Sequence, residues 1–237
     1  MRTFFKIAHK LKFLDIFYVR YCMFCSKAVE YKRPYPLCPS CEERVRPYQG
    51  KRCNICSRPI DHDGRCSLCN MTKLYFEKGY CLYEYKDEIR RAVIDFKFSQ
   101  NPLYFTFFGK NMAEHLLKHN AKYDIITFVP MYNKDERKRG YNQAELLAYE
   151  TARLTNINFD TLLKKEKSTA LQSSLSAKER ATNLKKAFAL TKDVKGKSIL
   201  IIDDIITTGA TLNECAKVLS KAGAKVDVFA LAGVREK

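Results

Sequence analysis

The sequence has no long apolar run. Nothing in it approaches the roughly 18 uninterrupted apolar residues of a membrane-crossing helix, so no transmembrane segment is expected. The basic start, Met1 to Arg20, lacks the unbroken apolar core of a secretory signal, because Lys10, Lys12 and Asp15 interrupt it. Both absences point to a cytoplasmic protein. Acidic residues are scarce as well: 26 Asp and Glu stand against 43 Lys and Arg, a formal net charge of +17. That excess suggests a polyanionic partner, with nucleic acid first. The competing explanation is lysines spread over solvated faces, since net charge says nothing about clustering. What is present is an ordinary globular composition, 46% hydrophobic over 237 residues, with room for one full domain and one small one.

Eight of the ten cysteines fall in four knuckles. Cys22-x-x-Cys25 is followed after twelve residues by Cys38-x-x-Cys41, and Cys53-x-x-Cys56 after nine by Cys66-x-x-Cys69. Each knuckle lets two thiolates converge on one ion from a tight turn, and two knuckles complete a tetrahedron with no open position. The halves form an internal repeat, read as two successive four-cysteine zinc ribbons; spacing alone leaves cross-pairing open. Disulfides would need an oxidising compartment that no signal supports. Four thiolates leave no place for water, so the zinc is structural, and it supplies folding energy that so short a block lacks. Eight thiolates and two Zn²⁺ would bring the net charge to about +13. Cys81 and Cys215 lie outside the pattern, Cys215 as a small core residue.

The most informative stretch is Lys197 to Thr211, KSILIIDDIITTGAT. Ser198 to Ile202 has the pattern of a buried parallel strand, expected to stop at Asp203 and Asp204. A small polar turn follows, Thr207-Thr208-Gly209-Ala210-Thr211, and then a helix to Lys221. Such a turn points backbone N–H groups and hydroxyls at one phosphate, and the helix dipole favours the anion. Two carboxylates at the strand end accept hydrogen bonds from vicinal hydroxyls. A phosphorylated ribose meets both demands.

The rest of the chain supplies further α/β units. Met1 to Arg20 reads as an amphipathic helix, expected to pack on the protein rather than a membrane, because stable surface anchoring needs a second signal. Strands are expected at Gly79–Tyr85, Asp124–Val129, Asp160–Lys164, Lys185–Leu190 and Lys225–Ala232, and helices at Asp87–Ser99 and Pro102–His119. Met131 to Gln143, MYNKDERKRGYNQ, reads as a cationic loop ahead of a helix to about Thr155. Its Lys134, Arg137, Lys138 and Arg139, before Gly140, suit a diphosphate or a nucleic-acid backbone, or else simple solvation. Ser168 to Leu184 is a long polar stretch, the kind that is functional or mobile. The expected organisation is an N-terminal helix at 1–20, a double zinc ribbon at 21–75 and an α/β domain at 76–237.

The Asp-Asp-x-x-Thr-Thr-Gly-Ala-Thr unit resembles the phosphoribosyl pyrophosphate (PRPP) motif of type I phosphoribosyltransferases. Together with the double Cys-x-x-Cys repeat ahead of it, it resembles the ComF family of competence proteins, over nearly the whole chain from about Ile16. The likeness also rests on Arg139-Gly140-Tyr141-Asn142-Gln143 after Val129-Pro130, and on Thr169-x-x-Gln172 to Arg180-x-x-Asn183 with Phe188 beyond. The resemblance implies a phosphoribosyltransferase-like parallel sheet flanked by helices. Asp203 and Asp204 would bind the ribose and Thr207 to Thr211 the 5′-phosphate, with Mg²⁺ accompanying PRPP. It implies a diphosphate site near Val129–Tyr132 and a closing loop over Lys164–Asn183. Lys97, in a Lys-aromatic pair with Phe98, becomes a candidate ligand. Arg137, Arg139, Gly140, Gln143, Gln172 and Arg180 join it as diphosphate, loop or DNA residues. Lys164 and Lys165 stand where many relatives have arginine; lysine lacks the bidentate fork, so neither is assigned a catalytic role. The implied function is PRPP binding and handling of single-stranded DNA in natural transformation, alongside other DNA-uptake proteins. The alternatives are an active transferase whose acceptor nothing here identifies, and a PRPP-sensing nucleic-acid-binding regulator.

Overall fold

A computed structural model describes residues 20–30, 33–98, 103–166 and 187–236. The expected helix at Met1 to Arg20 and the polar stretch Ser168 to Leu184, with Gln172 and Arg180, lie outside the described residues, apart from Arg20. In chain order the elements of the cysteine block are β1 (Arg20–Tyr21), β2 (Ala28–Val29), α1 (Pro39–Arg44) and α2 (Ser67–Met71). Then come β3 (Gly79–Glu84), α3 (Asp87–Phe98), α4 (Leu103–Lys118), β4 (Ile125–Phe128), α5 (Asn133–Arg139), α6 (Gln143–Thr155) and β5 (Asn158–Phe159). The last are β6 (Leu163–Lys165), β7 (Phe188–Leu190), β8 (Ser198–Ile206), α7 (Ala210–Lys221) and β9 (Lys225–Gly233).

Five strands form one parallel sheet in the order β3-β9-β8-β4-β5. The apolar run of β8 belongs to a strand covered on both faces. Leu200 and Ile202 pack into one core with Phe229 of β9, Phe96 of α3, Phe108 of α4 and Leu147 of α6. Ile199 and Ile201 pack into the other with Val228 of β9, Leu212, Cys215 and Leu219 of α7, and Leu163 and Phe188 of the β6–β7 hairpin. The two cysteine clusters join opposite cores: Cys22, Cys38 and Cys41 the first, and Cys53, Cys56, Cys66 and Cys69 the second. The segment between them crosses edge strand β3. There the Tyr48 N–H donates to the Leu82 carbonyl at 2.8 Å, and the Arg52 guanidinium donates to the carbonyls of Cys81 and Leu82. The exposed edge of the sheet is blunted in this way.

Three expectations need correcting. β8 does not stop at the acidic pair but runs to Ile206, because β9 continues beside it, pairing Asp203 with Ala230 and Ile206 with Gly233. Met131 to Gln143 is not one loop, since Asn133–Arg139 forms α5. Acidic Asp135 and Glu136 in its first turn and three cations in its last match the helix dipole, and Gly140 ends it at φ 92°. The short strand β5 was not expected, and the strand expected at Asp160–Lys164 lies instead at Leu163–Lys165.

The connection from β4 to β5 passes through α6 on one face, and that from β8 to β9 through α7 on the other. The chain therefore leaves β4 and β8 in opposite directions, and a crevice opens beyond their carboxyl ends. β4 pairs with β8 only as far as Ile202, so Asp203 and Asp204 extend past the end of β4 into that crevice.

Candidate functional site

Both cysteine clusters use the same backbone device. Cys22 N–H donates to the Lys27 carbonyl and Ser26 N–H to the Cys22 carbonyl; Cys53 with Arg58 and Ser57 with Cys53 repeat the pattern. The serine after each first knuckle is left-handed, with φ 59° at Ser26 and 56° at Ser57. Each second knuckle begins on a helix N-cap, Cys38 for α1 and Cys66 for α2. In each cluster the four sulfurs lie within 4.8 Å of one another, Cys22 with Cys25, Cys38 and Cys41, and Cys53 with Cys56, Cys66 and Cys69. Ligands about 2.3 Å from a tetrahedral zinc stand about 3.8 Å apart. The Cys25–Cys38 and Cys56–Cys66 sulfurs are 3.6 Å apart, which fits zinc. Backbone N–H groups of Cys38 and Cys66 point at the sulfurs of Cys22 and Cys53, at 3.4 and 3.3 Å, as thiolates require. The pairing left open by spacing is thus successive.

The acidic pair divides between the faces of the sheet. Asp204 meets Lys97 of α3, carboxylate to ammonium at 2.7 Å. Asp203 accepts the Asp204 N–H at 2.9 Å. Burial, and then the neighbouring Asp204 charge, hold the Asp203 carboxyl well above the usual range. After Ile206 the turn reaches Gly209 at φ 74°, the N-cap of α7, a conformation that favours glycine. The first backbone bond of α7 runs from Asn213 N–H to the Gly209 carbonyl at 3.0 Å. The N–H groups of Ala210, Thr211 and Leu212 therefore have no helical acceptor, and only that of Ala210 leans on Thr208 Oγ1, at 3.4 Å. Two carboxylates and a helix start built of small residues thus face one crevice.

The segment after β4 forms the other wall. Asn142 caps α6 by accepting the Ala144 N–H at 3.0 Å and donates to the Val129 carbonyl at 3.0 Å, which fixes α6 to the end of β4. Tyr141 O–H donates to the Phe96 carbonyl, tying α6 to α3. Arg139 donates to Gln143 Oε1 at 2.8 Å, while the buried Gln143 Nε2 has no partner among the described residues. Arg137 stays exposed on α5, and so does Gly140 at its end.

Residues 141–237 match the phosphoribosyl transferase domain family, and residues 13–70 the double zinc ribbon domain. Competence protein F of Haemophilus influenzae is 32% identical over 213 residues, which cover 83% of this chain and 90% of that protein. The chain belongs to the ComF family. Competence protein ComFC of Bacillus subtilis is 26% identical over 211 residues, 84% of each chain. DNA utilization protein YhgH of Escherichia coli K12 is 28% identical over 193 residues, 73% of this chain and 85% of that one. The zinc of this ComF chain is structural, held by two closed four-cysteine sites.

Of the ComF candidates, Lys97 is the one drawn most directly to the acidic pair. Replacing it with alanine leaves a half-buried carboxylate without its partner, and thermal denaturation is expected to show a loss of about 1–3 kcal/mol. Lys165, given no role from sequence, lies within electrostatic reach of Asp203. Burial lowers the pKa of its ammonium group, while Asp135, Cys215 and Asp203 oppose the shift. Its amine lies 5.9 Å from the Phe188 ring centre. Nothing local in the sequence signals this, because it depends on pairing β6 with β7 across the undescribed stretch. Lys164 instead pairs at the surface with Glu166, at 3.1 Å.

Glu145, buried in the first turn of α6, was missed as well. Burial first and Glu136 second push its pKa up to about 7. The unfolded carboxyl ionises near pH 4.5, so stability from the protonated native form is complete below that pH and is lost as pH rises through about 7. Glu145→Gln is expected to match the parent near pH 4 and to exceed it at pH 8 by up to about 3 kcal/mol, read by denaturant titration at both pH values.

Proposed function

We propose that this ComF protein binds PRPP in the crevice between β4 and β8 and handles single-stranded DNA during natural transformation, on the cytoplasmic side. The observation that carries the reading is the placement of Asp203 and Asp204 beside the Gly209-capped start of α7, at the point where the connections leaving β4 and β8 diverge. The helix start takes a dianionic phosphate through backbone N–H groups and the hydroxyls of Thr207, Thr208 and Thr211. Asp203 and Asp204 accept the ribose hydroxyls. For that, Asp204 shares its charge with Lys97, and Asp203 must ionise against its burial, which favours a ligand that brings donors with it. The hard carboxylate oxygens also fit the water shell of Mg²⁺. The ion, when bound, neutralises diphosphate charge; the protein groups position the sugar.

The DNA half of the reading is supported by the names of the relatives, competence and DNA utilization, and by the net charge of +17. The test is binding of fluorescent single-stranded DNA to zinc-loaded protein across a salt series, with and without PRPP and Mg²⁺. Salt-sensitive binding whose affinity changes with PRPP is the expected result. No binding at low salt overturns the DNA half. Release of pyrophosphate on adding a nucleobase or amine acceptor would move the reading to a working transferase.

A further inference from the structure

A cavity of ≈ 620 Å³ lies along edge strand β3, between the segment that joins the two zinc clusters and helix α4. Strand β9 separates β3 from β8, and none of the crevice residues lines this cavity. Its size is that of a small-molecule site. Its chemistry is uneven in an informative way. Two acidic side chains reach it, and each is already neutralised: Glu42 by Arg33 at 2.8 Å and Glu114 by Lys110 at 3.3 Å. Four cations line it: Arg52 is engaged by the carbonyls of Tyr48, Cys81 and Leu82, while Arg46, Lys78 and Lys118 are exposed and without an ion-pair partner among the described residues. The positive field is felt by His115 on the cavity wall. Burial first, and then His119, Arg52, Lys78 and Lys118, hold its pKa down to about 4, so it is a neutral ring at physiological pH.

The wall is also aromatic. Tyr80, His115 and His119 form a ladder of rings, with centres 5.4 Å apart between Tyr80 and His115 and 4.2 Å between His115 and His119. The ladder ends at His119, whose ring is exposed. Lys78 sits with its amine 4.8 Å from the Tyr80 ring centre, so cation and ring face the same space. A ligand that satisfies both has a flat heterocycle to extend the ladder and an anion to meet the lysines.

We propose that this cavity is a nucleotide-binding site, with the base stacked on His119 and the phosphate held by Arg46, Lys78 and Lys118, and that single-stranded DNA is the source of the nucleotide. The single-strand reading above supplies the source; the site's chemistry stands apart from it. Stacking on aromatic faces with backbone contacts to cations is how single strands are held without sequence preference.

The test uses zinc-loaded full chain, fluorescein-labelled (dT)12 followed by anisotropy, and dTMP as competitor. Lys78→Glu with Lys118→Glu is expected to weaken (dT)12 binding at least tenfold and to flatten its salt dependence, with PRPP affinity unchanged. Lys78→Arg with Lys118→Arg is expected to keep binding within about threefold, because the charge stays. His119→Ala is expected to cost about fivefold or more. Displacement of (dT)12 by dTMP would show that one nucleotide fills the site; failure to displace it, with the variant effects intact, would show that the strand is required. If the charge-reversed protein binds (dT)12 as the parent does, this site is wrong while the DNA reading stands. If the parent binds neither probe at low salt, both fall.

Discussion

Alanine at both Asp203 and Asp204 is expected to lower PRPP affinity by about 10²- to 10⁴-fold and to leave both zinc ions in place. The magnitude follows from two hydrogen bonds to charged groups, each about 1.5–3 kcal/mol. The zinc is unaffected because its ligands come from other segments, none within the β8–α7 unit. Calorimetric titration with PRPP and Mg²⁺ reads the first effect and zinc analysis the second; normal PRPP affinity in the double variant would remove the site assignment. A companion result separates binding from folding. Asp203 is half-buried beside a like charge, and its folded pKa is raised. Its contribution to stability is therefore fully present below the ordinary carboxylate pKa near 4 and is lost as pH rises through the folded value. Asp203→Asn removes that loss, so the melting temperature is expected to rise at pH 7 and to match the parent near pH 3. A site residue whose neutral analogue folds better is held for the ligand and not for the fold.

How much of this was legible in the sequence depended on how local each signal was. The β8–α7 unit was readable because strand, acidic pair, turn and helix are contiguous and each residue type serves the adjacent backbone. Only the strand's end was misplaced, since Asp and Ile205 offer no local reason to stay paired and β9 supplies one. The cysteine repeat was readable for the same reason, down to the metal, but its pairing was settled by where the second knuckles fall in space. Residues Lys97 and Lys165 show the limit. Lys97 is more than a hundred positions from Asp204, and its salt bridge depends on how α3 packs over the sheet. Lys165 depends on the β6–β7 hairpin. The α5 helix was hidden because NKDERKR has no buried face to give it a period; charge order and Gly140 alone define it. Strand β5, two residues long, has no pattern to read and exists through its pairing with β4.

Loss of zinc from the second cluster is expected to weaken PRPP binding, whereas loss from the first is expected to lower stability with little effect on PRPP. The second ribbon buttresses the phosphate turn. A Cβ at Gly209 would stand 2.3 Å from Leu68 Cδ2, so α2 and the turn are in direct contact. Just beyond α2, Tyr75 N–H donates to Asn213 Oδ1 at 2.9 Å and Asn213 Nδ2 donates to the Lys73 carbonyl at 3.0 Å, fastening the first turn of α7. Glu236 accepts from Ser67 N–H at 2.6 Å and from its hydroxyl at 2.8 Å. A helix of five residues, with no side-chain cap on Cys66, does not hold itself together, so the metal carries these contacts. The first cluster instead meets α4, where Phe24 packs on Tyr104 and Phe107 with ring centres 5.9 Å apart, on the other face of the sheet from α7. Cys66→Ser with Cys69→Ser should therefore raise the PRPP dissociation constant by about tenfold or more, because the turn must be ordered when the ligand binds. Cys38→Ser with Cys41→Ser should raise it by less than about threefold in protein that remains folded. Equal effects of the two pairs would break the link between α2 and the turn. The coupling is reciprocal, so PRPP should slow the removal of one zinc ion by a chelator and leave the other unprotected.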